Sequence, residues 1–275
     1  MDLSMNNHVH RHFSKLAEEG VWASLYASEE HVTSETWSFL IRARRVTELL
    51  QAAGTSIRSV VDIGCGTAPI ARSVSAMGCH YTGIDFSADM IEAARRNISD
   101  LIDQSRARLA VGDASQLSLP DRNCDALIAM GVLEYLTRPT VDTMLQETWR
   151  VLRPGGITIL TIPKRHHWGT VALWLLSPVR WLVRGTPRAR SIKLGRREEF
   201  QRLYLTPREL DEACQRAGLQ KVDHRHYNVQ PIGRPVTEIA PRLTYLLNRP
   251  FESLARVPGG SFLGTGYIGM YRRES

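Results

Sequence analysis

Residues 60–69, Val-Val-Asp-Ile-Gly-Cys-Gly-Thr-Ala-Pro, constrain this chain more than any other stretch. A β-branched apolar run stops at an acid and two glycines, and a helix-like pattern follows, which is how a buried parallel strand hands over to a ligand-binding turn. Glycine is needed where the backbone turns tightly or lets a ligand approach closely. Nineteen positions beyond Gly66, a second run, Tyr81-Thr82-Gly83-Ile84, ends in Asp85. An acid at that remove sits where a carboxylate can grip the two hydroxyls of a ribose. The two strands point to an adenosine-containing cofactor.

The turn narrows the choice. A dinucleotide fingerprint wants a third glycine at position 69, where this chain has Pro69, so a nicotinamide reading weakens. The order strand, Asp62-Ile63-Gly64-Cys65-Gly66-Thr67, helix, strand, Asp85 resembles the class I S-adenosylmethionine-dependent methyltransferases. Their first motif is commonly D-x-G-x-G-x-G, and Ala68 stands at its third glycine. Gly131-Val132-Leu133-Glu134-Tyr135-Leu136 is similar to the V-L-E-H/Y-L segment of small-molecule and lipid methyltransferases. Leu152-Arg153-Pro154-Gly155-Gly156, ahead of an apolar run, is a further recurrent signature, with a proline to stop a helix and two glycines to reverse the chain.

The resemblance implies an α/β fold: a doubly wound, seven-stranded, mostly parallel, Rossmann-like sheet with N-terminal helices and helical cap insertions. The residues themselves give a helix ending at Gly54, a first crossover helix over 67–77 with Pro69 in its opening turn, and Ser87 as the N-cap of a helix. A third strand spans 107–111, a buried fourth follows the polar turn at 119–123, a helix spans 141–152 and a fifth strand 157–162. Thr206-Pro207-Arg208-Glu209 is a capping-box start for a helix that Gly218 ends, and strands follow over 222–227 and 264–272. Five successive β–α units make a right-handed doubly wound sheet the natural architecture. The domain reading is a helical lid over 1–54, a cofactor-binding core over 55–163, a cap over 164–203, and the rest of the sheet over 204–275. A second helical insertion spans 235–257, its Ile239, Leu243, Leu246, Leu247 and Phe251 on one face and packed against the cap.

Composition sets bounds. A chain of 275 residues with 43% apolar and 23% charged residues can bury one sizeable core. The N-terminus, with His8, His10, Arg11 and His12, lacks the apolar core of a signal peptide, and the reading is cytoplasmic. Cys65, Cys79, Cys124 and Cys214 show no C-x-x-C spacing and read as buried thiols, not as metal ligands or disulfides. The formal net charge of +7 would suit an acidic partner, but the segment after the fourth strand is Gly-Val-Leu-Glu and not the N/D-P-P-Y/F of nucleic-acid methyltransferases. Nucleic acid is not expected as a partner.

The resemblance assigns S-adenosyl-L-methionine to a site built from Asp62, Gly64, Cys65, Gly66, Asp85, Phe86, Asp113, Ala114, Met130 and Glu134. Asp85 would hold the ribose, Phe86 would pack on adenine, and Asp113 with the Ala114 backbone would take the adenine amino group. Methyl transfer needs an aligned donor and acceptor, exclusion of water, and a base if the acceptor is a hydroxyl or amine, but no metal. His166, His167 and Tyr26 are the candidate catalytic residues, and Trp37, Tyr135 and Trp168 the candidate acceptor-binding residues. The expected acceptor is a small apolar or aromatic metabolite, methylated on oxygen or nitrogen. Two alternatives stay open: a lipid or quinone-like acceptor, with residues 168–184 touching a membrane surface, and a non-catalytic cofactor-binding adaptor.

Overall fold

Side chains alternate along a strand, so Val60 and Asp62 take one face of the sheet while Val61 and Ile63 take the other, and apolar helices cover both. The computed structural model describes residues 34–54, 56–164, 203–232, 240–256 and 264–274. Its strands are β1 Ser59–Ile63, β2 His80–Asp85, β3 Ala107–Val111, β4 Cys124–Ala129, β5 Leu152–Pro163, β6 Leu219–Val229 and β7 Gly264–Arg273. They form one sheet in the order β3-β2-β1-β4-β5-β7-β6, antiparallel only where β7 pairs with β5 and β6. The expected seven-stranded, mostly parallel architecture is observed.

The helices are α1 Ser34–Ala52, α2 Ala71–Ala76, α3 Ala88–Asn97, α4 Ser99–Asp103, α5 Arg138–Val151, α6 Pro207–Arg216 and α7 Pro241–Asn248. Short 3₁₀ segments occupy Leu133–Tyr135 and Arg249–Arg256. Ile41 and Leu49 of α1, Val74 of α2 and Ile91 of α3 pack against Val60, Ile128, Ile159 and Ile268 on one face. Met144 and Leu145 of α5, with Leu210 and Cys214 of α6, pack against Val61, Leu127, Leu160, Tyr267 and Tyr271 on the other. The chain walks outward from β1 to β3 and then returns to β4 at β1's other edge. Open α/β sheets bind ligands in the crevice outside the carboxyl ends of such a reversal.

Local signals are confirmed where a side chain closes a helix end. Ser87 Oγ accepts from Met90 N at 3.3 Å. Thr206 and Glu209 form the reciprocal capping box at the start of α6, and Gly218 follows α6 with φ +78°. All four cysteines are buried and free.

Three expectations are corrected. The first crossover helix begins at Ala71 and not at Thr67, because Gly66 and Ala68 adopt φ +52° and +57°, left-handed values that no α-helix contains, so Pro69 lies in the turn. The β3–β4 connection, residues 112–123, carries no helix, so the run of five β–α units is interrupted. Leu117 is buried against α5, and Arg150 of α5 pins the loop by donating to Leu117 O at 3.0 Å, Leu119 O at 2.8 Å and Asp121 Oδ1 at 2.7 Å. The stripe Leu243, Leu246, Leu247 and Phe251 of the second insertion is 54%, 60%, 45% and 42% exposed, while Thr244 and Asn248 are buried. Ile239 lies outside the described residues, as do most of the expected cap and most of the N-terminal lid.

Candidate active site

The turn after β1 is held by backbone bonds to β2. Gly64 N and Cys65 N donate to Ile84 O at 2.7 and 3.1 Å, and Gly66 N donates to Asp85 Oδ2 at 2.8 Å. A Cβ at Gly64, which has φ +64°, would collide with Val132, so that position admits only glycine. At Gly66 a Cβ would meet nothing within 4 Å among the described residues, so the backbone borders open space on their side. A bare amide turn bordering a void is the cradle a ligand's polar chain requires.

Asp85 is 6% exposed and oriented from both sides, with Oδ1 accepting from Ser87 N at 3.0 Å. Two backbone amides thus fix the plane of this carboxylate at the end of β2. Phe86, the next residue, is 39% exposed. Asp113 follows β3 in an exposed turn whose Oδ1 accepts from Ser115 N and Oγ at 2.8 and 2.7 Å. It is therefore a turn residue and also stands at the crevice edge, beside the half-buried Ala114. Gly112 N donates to Asp85 O at 2.9 Å and ties the two strand ends together.

The third wall follows β4. Met130 and Glu134 are buried, and Tyr135 is half-buried in the 3₁₀ turn. Gly131, with φ +75°, donates to Thr161 Oγ1 at 2.9 Å. A Cβ on Gly131 would lie 2.6 Å from Nη1 of Arg42, so α1 lays a guanidinium across the carboxyl end of β4. Arg42 escaped the sequence reading because an arginine on an amphipathic helix looks like a solvated face. Trp37, from the same helix, stacks obliquely on Tyr245 with centroids 5.3 Å apart, and its Nε1 is buried with no hydrogen-bond partner among the described residues. Tyr26, His166, His167 and Trp168 lie outside the described residues.

Asp62 is a strongly perturbed carboxyl. It is 1% exposed, Tyr81 Oη donates to its Oδ2 at 2.8 Å, and its Oδ1 has no partner among the described residues. Burial pushes its pKa up to about 7, Tyr81 opposes that rise, and the Asp85 charge adds to it. Burial likewise holds the Cys65 thiol and the Tyr81 phenol well above their ordinary values, so neither ionises near neutrality. The strand pattern singles out Asp62 but not Tyr81. An apolar-looking strand tyrosine carries no signal until its partner is known.

The donor set fits an adenosine cofactor with an amino-acid end. Asp85 and Asp113 offer acceptors at adjacent strand ends, the Gly66 backbone borders open space, and the buried Asp62 Oδ1 lacks a donor. Residues 60–156 match the family model described as a methyltransferase domain. A demethylmenaquinone methyltransferase of Listeria monocytogenes is 34% identical over 103 residues, covering 36% of this chain and 41% of that protein. A carboxy-S-adenosyl-L-methionine synthase of Shewanella sediminis is 26% identical over 111 residues, covering 39% of this chain and 45% of that one. The chain thus spans under half the length of these curated relatives. The magnesium protoporphyrin IX methyltransferase of Synechocystis, crystallised with bound SAH, shares the fold with a TM-score of 0.62 at 13% identity, over 98% of this chain and all of that one. With its glycine turn and the first strands of this sheet, the segment 60–156 carries the methyltransferase domain of the class I S-adenosylmethionine-dependent superfamily.

Proposed function

We propose that the protein transfers a methyl group from S-adenosylmethionine to a small molecule. The observation that carries this reading is the closed constellation of Asp62, Gly66 and Asp85, in which the turn amide is fixed to the second-strand acid while the first-strand acid keeps an unpaired oxygen inward. When bound, the cofactor supplies an electrophilic methyl on a sulfonium. The chain's part is to bind the adenosine through Asp85, Phe86, Asp113 and Ala114, and the amino-acid end through Asp62, the 64–66 turn and Met130. Glu134, following β4, completes the cofactor groups, Tyr135 stands next to the acceptor side, and Trp37 with Arg42 covers it from α1. His166, His167, Tyr26 and Trp168 remain the candidates for proton removal and acceptor contact, with an apolar or aromatic acceptor methylated on oxygen or nitrogen.

A second reading concerns the acceptor. The exposed Leu243, Leu246, Leu247 and Phe251 form an apolar face that favours a lipid or quinone-like acceptor met at a membrane surface, together with residues 168–184. No helix among the described residues is long and apolar enough to cross a membrane.

Labelled methyl donor incubated with host metabolites, split into aqueous and lipid fractions, tests both. Label in a small aqueous aromatic supports the first, label in the lipid fraction the second. No transfer to either fraction by a protein that binds the donor would leave a cofactor-binding adaptor.

A further inference from the structure

Asp62 and Gly83 are register partners on β1 and β2, and the glycine leaves the sheet bare beside the acid. A Cβ on Gly83 would stand 2.9 Å from Cys65 Sγ and 3.0 Å from Tyr81 Cε1. The tyrosine, two residues earlier on the same face, fills that gap with its ring and reaches Asp62 Oδ2 with its hydroxyl at 2.8 Å. Tyr81 is fully buried, and Asp62 Oδ1, also buried, has no donor among the described residues. Maintaining a buried acceptor unpaired is costly, and native proteins tolerate it chiefly where a ligand completes the bond.

We infer that Tyr81 is a positioning residue: it clamps one oxygen of Asp62, so that the other is presented to a cationic group at the amino-acid end of the cofactor. The inference rests on the cofactor reading above. An unclamped carboxylate could rotate to share its charge with Cys65 and the turn, whereas the clamp fixes its plane. The groups facing Asp62 are Tyr81 on β2, Cys65 in the turn and the like-charged Asp85. No cation among the described residues draws Asp62 towards its ionised form, so that attraction must come with the ligand. Binding a cation there releases a proton from Asp62. Because the tyrosine favours the ionised acid, removing its hydroxyl must raise the pH at which that release occurs.

The test is calorimetric titration with S-adenosylhomocysteine from pH 6 to 9, in buffers of different ionisation enthalpy to count protons. With the acid half ionised near pH 7, the wild type releases about half a proton there, and Tyr81→Phe nearly one. Tyr81→Phe binds about ten- to a hundredfold more weakly at pH 7, the worth of one hydrogen bond to an ionised group, and the gap closes towards pH 9. In an Asp62→Asn background the same substitution changes affinity less than about twofold, because no charge remains to be clamped. Tyr81→Phe that binds like wild type, or that loses as much in the Asn background, overturns the inference while the cofactor reading stands. Wild-type protein that does not bind overturns the cofactor reading and this inference with it. If Tyr81→Phe does not fold, replacement of tyrosine by 3-fluorotyrosine, a stronger donor of the same shape, lowers the pH midpoint of binding. An unchanged midpoint counts against the clamp.

Discussion

Asp62 links the folding of the protein to pH in a direction opposite to that of most acids. Its pKa is near 7 when folded and near 3.8 when exposed, so between those values the native state keeps a proton that the unfolded state has lost. Its contribution is full below about pH 4 and disappears as the pH rises to 7. Glu209, held near 2 by the Thr206 amide, Arg138 and the Thr206 hydroxyl, works the other way at lower pH, so the informative quantity is a difference. Asp62→Asn is expected to gain up to about 4 kcal/mol on wild type between pH 4 and 8, since each pH unit separating the folded and unfolded values is worth about 1.36 kcal/mol. Urea unfolding of both proteins across that range measures it, and parallel curves would show that Asp62 is not buried as an acid. Ala68 makes the second residue-scale case. It occupies the family's third-glycine position and adopts φ +57°, a glycine conformation. Relief of that backbone conformation offsets the loss of a buried methyl, so Ala68→Gly should change stability by less than about 1 kcal/mol. Ala94→Gly, equally buried but within α3, has no such relief and should cost about 2 kcal/mol. The motif letter at 68 was legible in the sequence, and the conformation explains why alanine and glycine are alternatives there.

At the scale of elements, periodicity located most strands and helix ends because each end carries its own chemistry: a capping serine, a capping box, a glycine after the last turn. It failed at α7 for a physical reason. Asn248 donates to Ile232 O at 2.8 Å and accepts from Ile232 N at 3.0 Å, which turns the polar side of the helix inward and leaves the leucines outside. A hydropathy pattern cannot register a distant backbone pair waiting for an amide. Asn248→Ala should therefore cost about 1–2 kcal/mol by leaving both half-buried Ile232 groups without their amide partner. Leu246→Ser, at a position 60% exposed, should stay within about 0.5 kcal/mol. Thermal melts of the two variants decide the matter, and the reverse ranking would mean that the helix packs by its apolar stripe. The β3–β4 loop is a parallel case. Arg150 replaces a crossover helix by gathering two carbonyls and an acid, and nothing in residues 112–123 announces that the partner lies on α5.

For the molecule as a whole, the two sides of the sheet are unequally secured. β1, β4 and β5 are paired on both sides, and β1 and β4 are buried along most of their length, whereas β3 is an edge strand with Arg108, Ala110 and Val111 exposed. The candidate cofactor groups straddle this gradient: Asp62 and the turn are anchored in the interior, while Asp113 hangs from the edge. Native-state hydrogen exchange should show Val61 and Ile128 opening only with global unfolding, and the amides of Ala110 and Gly112, which face β2 at the end of β3, opening at lower cost. A ligand held by both groups must couple them. S-Adenosylhomocysteine at a hundred times its Kd adds about 2.7 kcal/mol to global stability by mass action alone. It should raise Tm by roughly 5–10 °C in a chain of this size. If it bridges β1, β2 and β3, protection at Ala110 and Gly112 must rise by more than protection at Val61, since sub-global opening then also requires release of the ligand. An increase confined to the interior strands would mean that the adenosine end does not reach Asp113, and the acceptor would then have to enter over the β3 edge instead of beside β4 and β5.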